Sequence, residues 1–155
     1  MKLNLVKQLS EKQLLLVTAE SCTGGLVAKQ VTDLPGSSSI FDCGFVTYSN
    51  SSKQNLLAVK NETLDNYGAV SEQTAKQMAE GALKNSQANL ALSITGIAGP
   101  DGGTKEKPVG TVCFGWAKTG EKTITETRYF TGDRNSIRIQ ASNHALQTIT
   151  EIINP

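Results

Sequence analysis

A chain of 155 residues with a formal net charge of +1 and no run of Lys or Arg has the size of one domain, and it lacks the basic stripe of a nucleic-acid or anionic-membrane binder. The opening Met1-Lys2-Leu3-Asn4-Leu5-Val6-Lys7 turns polar too early for a signal peptide, and no apolar run reaches the length of a bilayer span. Three cysteines without C-x-x-C spacing and a single histidine, His144, argue against a disulfide framework, a zinc cluster and a histidine-based hydrolase, and they point to the cytoplasm.

In chain order, Leu3, Leu5, Val6, Leu9 and Leu14 give a helical stripe that runs into a predicted strand, Leu14–Ala19. Glu20-Ser21-Cys22-Thr23-Gly24-Gly25 follows, and then a helix through Leu26, Val27 and Val31 that Leu34-Pro35-Gly36 stops. Ser21 and Cys22 therefore sit where a strand hands over to a helix. Unpaired N–H groups and the positive end of the helix dipole there welcome a phosphate or the oxyanion of an acyl transfer. A Ser/Thr N-cap is the alternative for the same residues, and Glu20 is a candidate local hydrogen-bond partner.

Cys43–Tyr48 predicts a second strand, and Ser49-Asn50-Ser51-Ser52 a turn feeding a short helix over Lys53–Val59. A lysine at a helix start is disfavoured by the dipole, which depresses its pKa, so a neutral Lys53 is a base for a nearby hydroxyl, with Tyr48 to relay or orient the proton. Read alone, Lys53 is rather a solvated surface lysine and Tyr48 an amphipathic strand end. Glu62–Tyr67 predicts a further helical turn closed by Gly68. Ser71 caps the clearest helix, whose Ala75, Met78, Ala79 and Ala82 form a small-residue face for packing within or between chains.

Leu90–Thr95 predicts a buried strand. After it comes the longest irregular stretch, Gly96 to Pro108, with four glycines and two prolines. A loop of this composition at a strand's carboxyl end suits a ligand site, and Thr95 is a candidate contact. It has neither Walker nor dinucleotide-binding glycine spacing. Val109–Ala117 and Lys122–Phe130, joined at Thr119-Gly120, predict an antiparallel hairpin, and Asp133 caps a last helix that opens with Arg134, a candidate anion contact. The whole predicts a single-domain α/β/α sandwich with a mixed sheet.

The segments Thr18-Ala19-Glu20-Ser21-Cys22-Thr23-Gly24-Gly25, Gly44-Phe45-Val46-Thr47-Tyr48-Ser49-Asn50 with Lys53, Gly68-Ala69-Val70-Ser71-Glu72, Thr95-Gly96-Ile97-Ala98-Gly99-Pro100-Asp101-Gly102-Gly103 and Gly132-Asp133-Arg134 together resemble the CinA C-terminal-domain family. The resemblance implies an α/β fold over residues 1–155, hydrolysis of the amide of nicotinamide mononucleotide, no cofactor or metal, and a homodimer. It implies Ser21 as nucleophile and Tyr48 and Lys53 as proton-transfer partners. Substrate contacts are expected from Cys22, Thr23, Gly24, Gly25, Thr95, Gly96, Gly99, Gly102, Gly103 and Arg134. Longer members carry a further N-terminal domain resembling a molybdopterin-binding fold, which is expected to be absent here.

Two readings compete with the enzyme. A non-catalytic mononucleotide-binding module would use the same turns, and a competence factor would bind DNA, against the near-neutral charge. Without the resemblance Ser21 and Cys22 are equal candidates for the nucleophile, since a thiol at a helix start is acidified.

Overall fold

Five of the apolar runs pair edge to edge in the computed structural model, which describes residues 2–155. The elements are α1 (Lys2–Glu11), β1 (Leu16–Glu20), α2 (Leu26–Thr32), a 3-10 turn (Ser37–Ser39), β2 (Phe41–Val46), α3 (Asn50–Leu57), α4 (Asn61–Tyr67), α5 (Glu72–Lys84), β3 (Leu90–Gly96), β4 (Thr111–Lys118), β5 (Ile124–Tyr129) and α6 (Arg134–Ile153). The strand order is β2-β1-β3-β4-β5. β1 runs parallel to β2 and β3, whereas β3/β4 and β4/β5 are antiparallel, so the sheet is mixed.

Strand alternation sends side chains to two cores. Leu16, Leu90, Leu92, Ile94, Val112, Phe114 and Trp116 face α1, α2 and α6, while Val17, Ala19, Ala91 and Ala117 face the α3–α5 side. β1, β3 and β4 are covered on both faces, which is why they read as near-continuous apolar runs. On the first side, Phe114 and Trp116 stack at 5.5 Å and the Trp116 indole donates to the Ala145 carbonyl of α6.

The small-residue face of α5 packs within the chain. Ala75, Ala79 and Ala82 have no exposed surface. The helix lies so close to the sheet that a Cβ on Gly115 would come within 2.7 Å of the Ala75 carbonyl, to which Ser93 also donates. Ser71, Ser49 and Asp133 cap their helices as N-cap residues, each accepting from the amide three positions on. Boundaries shift by a few residues from those predicted. β1 continues through Glu20, and β2 stops at Val46, so Tyr48 lies beyond the strand it was expected to end. Cys22, Cys43 and Cys113 are free thiols. Among the described residues no helix is long and apolar enough to cross a membrane, and no three His, Cys, Asp or Glu side chains gather at a common point.

Candidate active site

Ser21 follows the last residue of β1 and extends the sheet by one bond, donating its amide to Ile94 of β3. The helix does not begin there. A turn of four residues intervenes, and α2 starts at Leu26 with Gly25 as its N-cap at φ 103°. The N-terminal amides of α2 are already taken. Glu20, fully buried, accepts from the amides of Val27 (2.8 Å) and Ala28 (3.1 Å) and from the Thr23 hydroxyl (2.7 Å). A buried carboxylate needs such partners, and the positive end of the helix supplies them. The anion expected at this helix start is thus the chain's own, and Thr23 turns its hydroxyl to it.

Lys53, in the first turn of α3, is the largest fully buried side chain, 1% exposed. Its Nζ lies 2.9 Å from Ser21 Oγ, 2.8 Å from the Thr47 carbonyl and 3.2 Å from the Tyr48 carbonyl. These partners are a hydroxyl and two carbonyls, with no carboxylate among them. Burial pulls the Lys53 pKa below the ordinary lysine value, opposed in part by Cys22. In the neutral amine, two N–H groups satisfy the two carbonyls and the lone pair is left for the Ser21 hydroxyl.

Cys22 departs from expectation. Its thiol is 6% exposed, and burial pushes its pKa up to about 12, outweighing the help of its own backbone N–H. It lies a full turn before α2, away from the dipole that was to acidify it.

Tyr48 and Arg134 meet at the mouth of the site. Arg134 donates to the Gly99 carbonyl (2.7 Å) and to the Tyr48 hydroxyl (3.1 Å). The Tyr48 phenol is largely exposed and points to Arg134; its backbone carbonyl is what touches Lys53. A pocket of about 190 Å³ brings together Ser21, Cys22, Tyr48, Lys53, Thr95, Gly96 and Arg134. Thr95 also donates to the Ala69 carbonyl, fixing the α4–α5 junction beside it.

Thr23, Gly24, Gly25, Gly99, Gly102 and Gly103 do not line this pocket. Gly99 reaches it through Arg134, while a Cβ on Gly99 or Gly103 would collide with Val109 of the same loop. The sequence reading also missed Arg138. This residue donates to the carbonyls of Cys22 (3.0 Å) and Thr23 (3.1 Å), and its spacing of four from Arg134, on one helix face, was the available signal.

The chain matches the model of the CinA C-terminal domain family over residues 1–153. It is 56% identical over 130 residues to the nicotinamide-nucleotide amidohydrolase PncC of Enterobacter agglomerans, covering 84% of this chain and 79% of that one. It is 51% identical over 141 residues to a CinA-like protein of Akkermansia muciniphila, covering 91% of this chain but only 34% of that longer relative. A solved structure of a competence-damaged protein (CinA) superfamily protein from Klebsiella pneumoniae superposes with a TM-score of 0.95 at 36% identity, covering 99% of this chain and 95% of the other. The chain belongs to the CinA C-terminal domain family.

Proposed function

We propose that this family member is a nicotinamide-nucleotide amidohydrolase that converts nicotinamide mononucleotide to nicotinate mononucleotide and ammonia, with Ser21 as nucleophile and Lys53 as its base. The kinship to a relative bearing that activity in its name supports the reaction. The observation that carries the residue roles is the buried contact between Lys53 Nζ and Ser21 Oγ.

In the first half-reaction Ser21 Oγ attacks the carboxamide carbon and its proton passes to the neutral Lys53 amine. The oxyanion that forms needs N–H donors. Gly24 spends its amide on the Ser21 carbonyl, and Glu20 holds those of Val27 and Ala28. The amide of the pocket-lining Cys22 meets nothing but its own thiol among the described residues and is the proposed oxyanion donor. One such donor contributes about 3 kcal/mol. Protonated Lys53 then returns its proton to the departing nitrogen, and ammonia leaves. Water attacks the acyl-serine and gives a proton to Lys53, which passes it to Ser21 Oγ as the acyl–oxygen bond breaks, releasing the acid and restoring the Ser21 hydroxyl and the neutral amine.

A pocket of about 190 Å³ is smaller than the roughly 300–1,000 Å³ that encloses a whole ligand. It suits the carboxamide-bearing ring. The ribose phosphate is then left at the mouth, where Arg134 has N–H groups to spare and Tyr48 flanks it. Thr95 and Gly96 form the wall. The free thiols of Cys22, Cys43 and Cys113 fit the reducing cytoplasm, and the proposed assembly is a homodimer, which sedimentation at micromolar concentration distinguishes from a single chain.

The test is ammonia release from nicotinamide mononucleotide by metal-free protein, with Ser21→Ala and Cys22→Ala alongside. Release that persists in Cys22→Ala and vanishes in Ser21→Ala is expected. Release retained in Ser21→Ala would remove Ser21 from the role, and saturable nucleotide binding without release would replace the enzyme by a binding module.

A further inference from the structure

Arg138 is a half-buried cation whose donors go to two carbonyls rather than to an acid. Among the described residues no carboxylate pairs with it. Its Nε takes the Cys22 carbonyl and a terminal nitrogen takes the Thr23 carbonyl, 116 and 115 residues away in sequence. Gly24, at φ +61°, carries the turn past the guanidinium, and a Cβ there would come within 3.4 Å of it.

This fork has a geometric consequence. In a planar trans peptide the C=O of one residue and the N–H of the next point in opposite directions. The only cis peptide bond among the described residues is Gly99-Pro100. Pulling the Cys22 carbonyl toward α6 therefore turns the Thr23 N–H away from α6. The next plane is held twice over, since the Thr23 carbonyl also accepts from Leu26 and the Gly24 amide donates to Ser21. Glu20 fixes the Thr23 side chain from the other side. Among the described residues nothing else grips the Cys22 carbonyl.

We propose that Arg138 is a positioning residue that sets the peptide planes of the Ser21 turn and so holds the amide of the pocket-lining Cys22 in place for the oxyanion formed there. The inference rests on the reading of Ser21 as nucleophile. The oxyanion exists only along the reaction, so misaiming its donor slows turnover and leaves ground-state binding alone. Lysine cannot replace the planar fork, because a single ammonium does not span both carbonyls in plane.

The experiment compares wild type, Arg138→Gln and Arg138→Lys by steady-state ammonia release, by thermal melting and by the rate at which a fluorophosphonate labels Ser21. The label develops its own phosphoryl oxyanion and needs no nucleotide. Expected is a fall of about a hundredfold in kcat with KM within about threefold, and a matching fall in labelling rate. Arg138→Lys should recover only a small part of either. Unchanged kcat in a folded Arg138→Gln or Arg138→Lys protein overturns the inference, and so does a rise in KM at constant kcat, which makes Arg138 a substrate contact. Should the wild type release no ammonia yet still be labelled at Ser21, the amidase reading fails and the labelling rates alone decide on Arg138.

Discussion

Two glycine-containing connections leave neighbouring parallel strands on the same side of the sheet, and they are built differently. The turn after β1, Ser21 to Gly25, is gripped by charged groups: the buried Glu20 carboxylate at the start of α2 and the Arg138 guanidinium on the carbonyls of Cys22 and Thr23. The loop after β3, from Ile97 to Gly110, is held mainly by its own backbone and by close packing, with Arg134 on the Gly99 carbonyl and Lys107 on the Tyr67 carbonyl as its charged contacts. Ile97 pairs with Gly110 and Thr111, and Gly99 and Gly103 fold flat against Val109. Glycine in the first case lets the chain turn over a cation, and in the second lets a loop close on itself. Glycine content alone does not distinguish the two; their hydrogen-bond partners do.

The largest effect should come from the side of the β1 turn. Lys53→Met is expected to lower ammonia release by at least about a thousandfold, since it removes the amine in contact with Ser21 that is proposed as its base. The pH dependence follows from the direction of the Lys53 shift. Activity should rise with pH as Lys53 loses its proton, with the midpoint below the ordinary lysine value of about 10.4. Between the lowered folded pKa and the unfolded one, the unfolded chain binds the extra proton, so stability rises with pH across that window and is flat below it. Lys53→Met should lose both the rising activity limb and this part of the stability profile. A variant that keeps either places the titration elsewhere.

Glu20→Gln tests the grip itself. One carboxylate here serves two helix amides and a hydroxyl, whereas a carboxamide offers one acceptor oxygen and a misplaced donor. The loss should be about 3 kcal/mol, a fall of roughly 6–12 °C in Tm, together with a lower kcat. An unchanged Tm would mean that the turn holds its shape without Glu20, and the contrast between the two connections would collapse.

The parts of this site that a reader of the sequence can see are those carried by short segments. Ser21 stands before paired glycines, Lys53 follows a serine-rich cap, and Asp133 precedes Arg134. Strand and helix order was legible for the same reason, because the elements carry their own periodicity and three of the helices their own cap. What was not legible depends on distance in the chain. Lys53 lies in a polar stretch that suggests solvent, and only the crossing of α3 with the ends of β1 and β2 buries it. Glu20 is one of the few ionisable side chains within the buried strands, yet its partners lie seven and eight residues on. Cys22 was expected acidic from its nearness to α2 in sequence, but four residues of turn and near-complete burial reverse the sign. Arg138 reaches across more than a hundred residues, a contact that no local pattern encodes.

On the loop side the effects should be on stability. A Cβ on Gly99 meets Val109 Cγ1 at 2.5 Å, at a backbone φ of +78°. Gly99→Ala should cost about 2 kcal/mol, part from the clash and part from the left-handed backbone. Val109→Ala in the same chain should return the clash portion only, which a double-mutant cycle reads directly. Because the Gly99 carbonyl anchors Arg134, some rise in KM is expected as well. No recovery in the double variant would mean that the loop is not held by Val109.

Gly102 gives the smallest and sharpest test. Its φ is +92°, but the nearest atom to an added Cβ is Ile97 Cγ2 at 3.7 Å, an ordinary contact. Gly102→Ala should therefore cost about 1 kcal/mol from backbone strain alone and leave kcat and KM within about twofold, although the resemblance assigns this glycine to the substrate. The two connections differ in kind only if this holds. A tenfold rise in KM at nearly unchanged Tm would mean that the tip of the loop folds over the nucleotide when it binds. The β3 loop would then be a ligand contact in its own right, and its self-packing would describe the unliganded state alone.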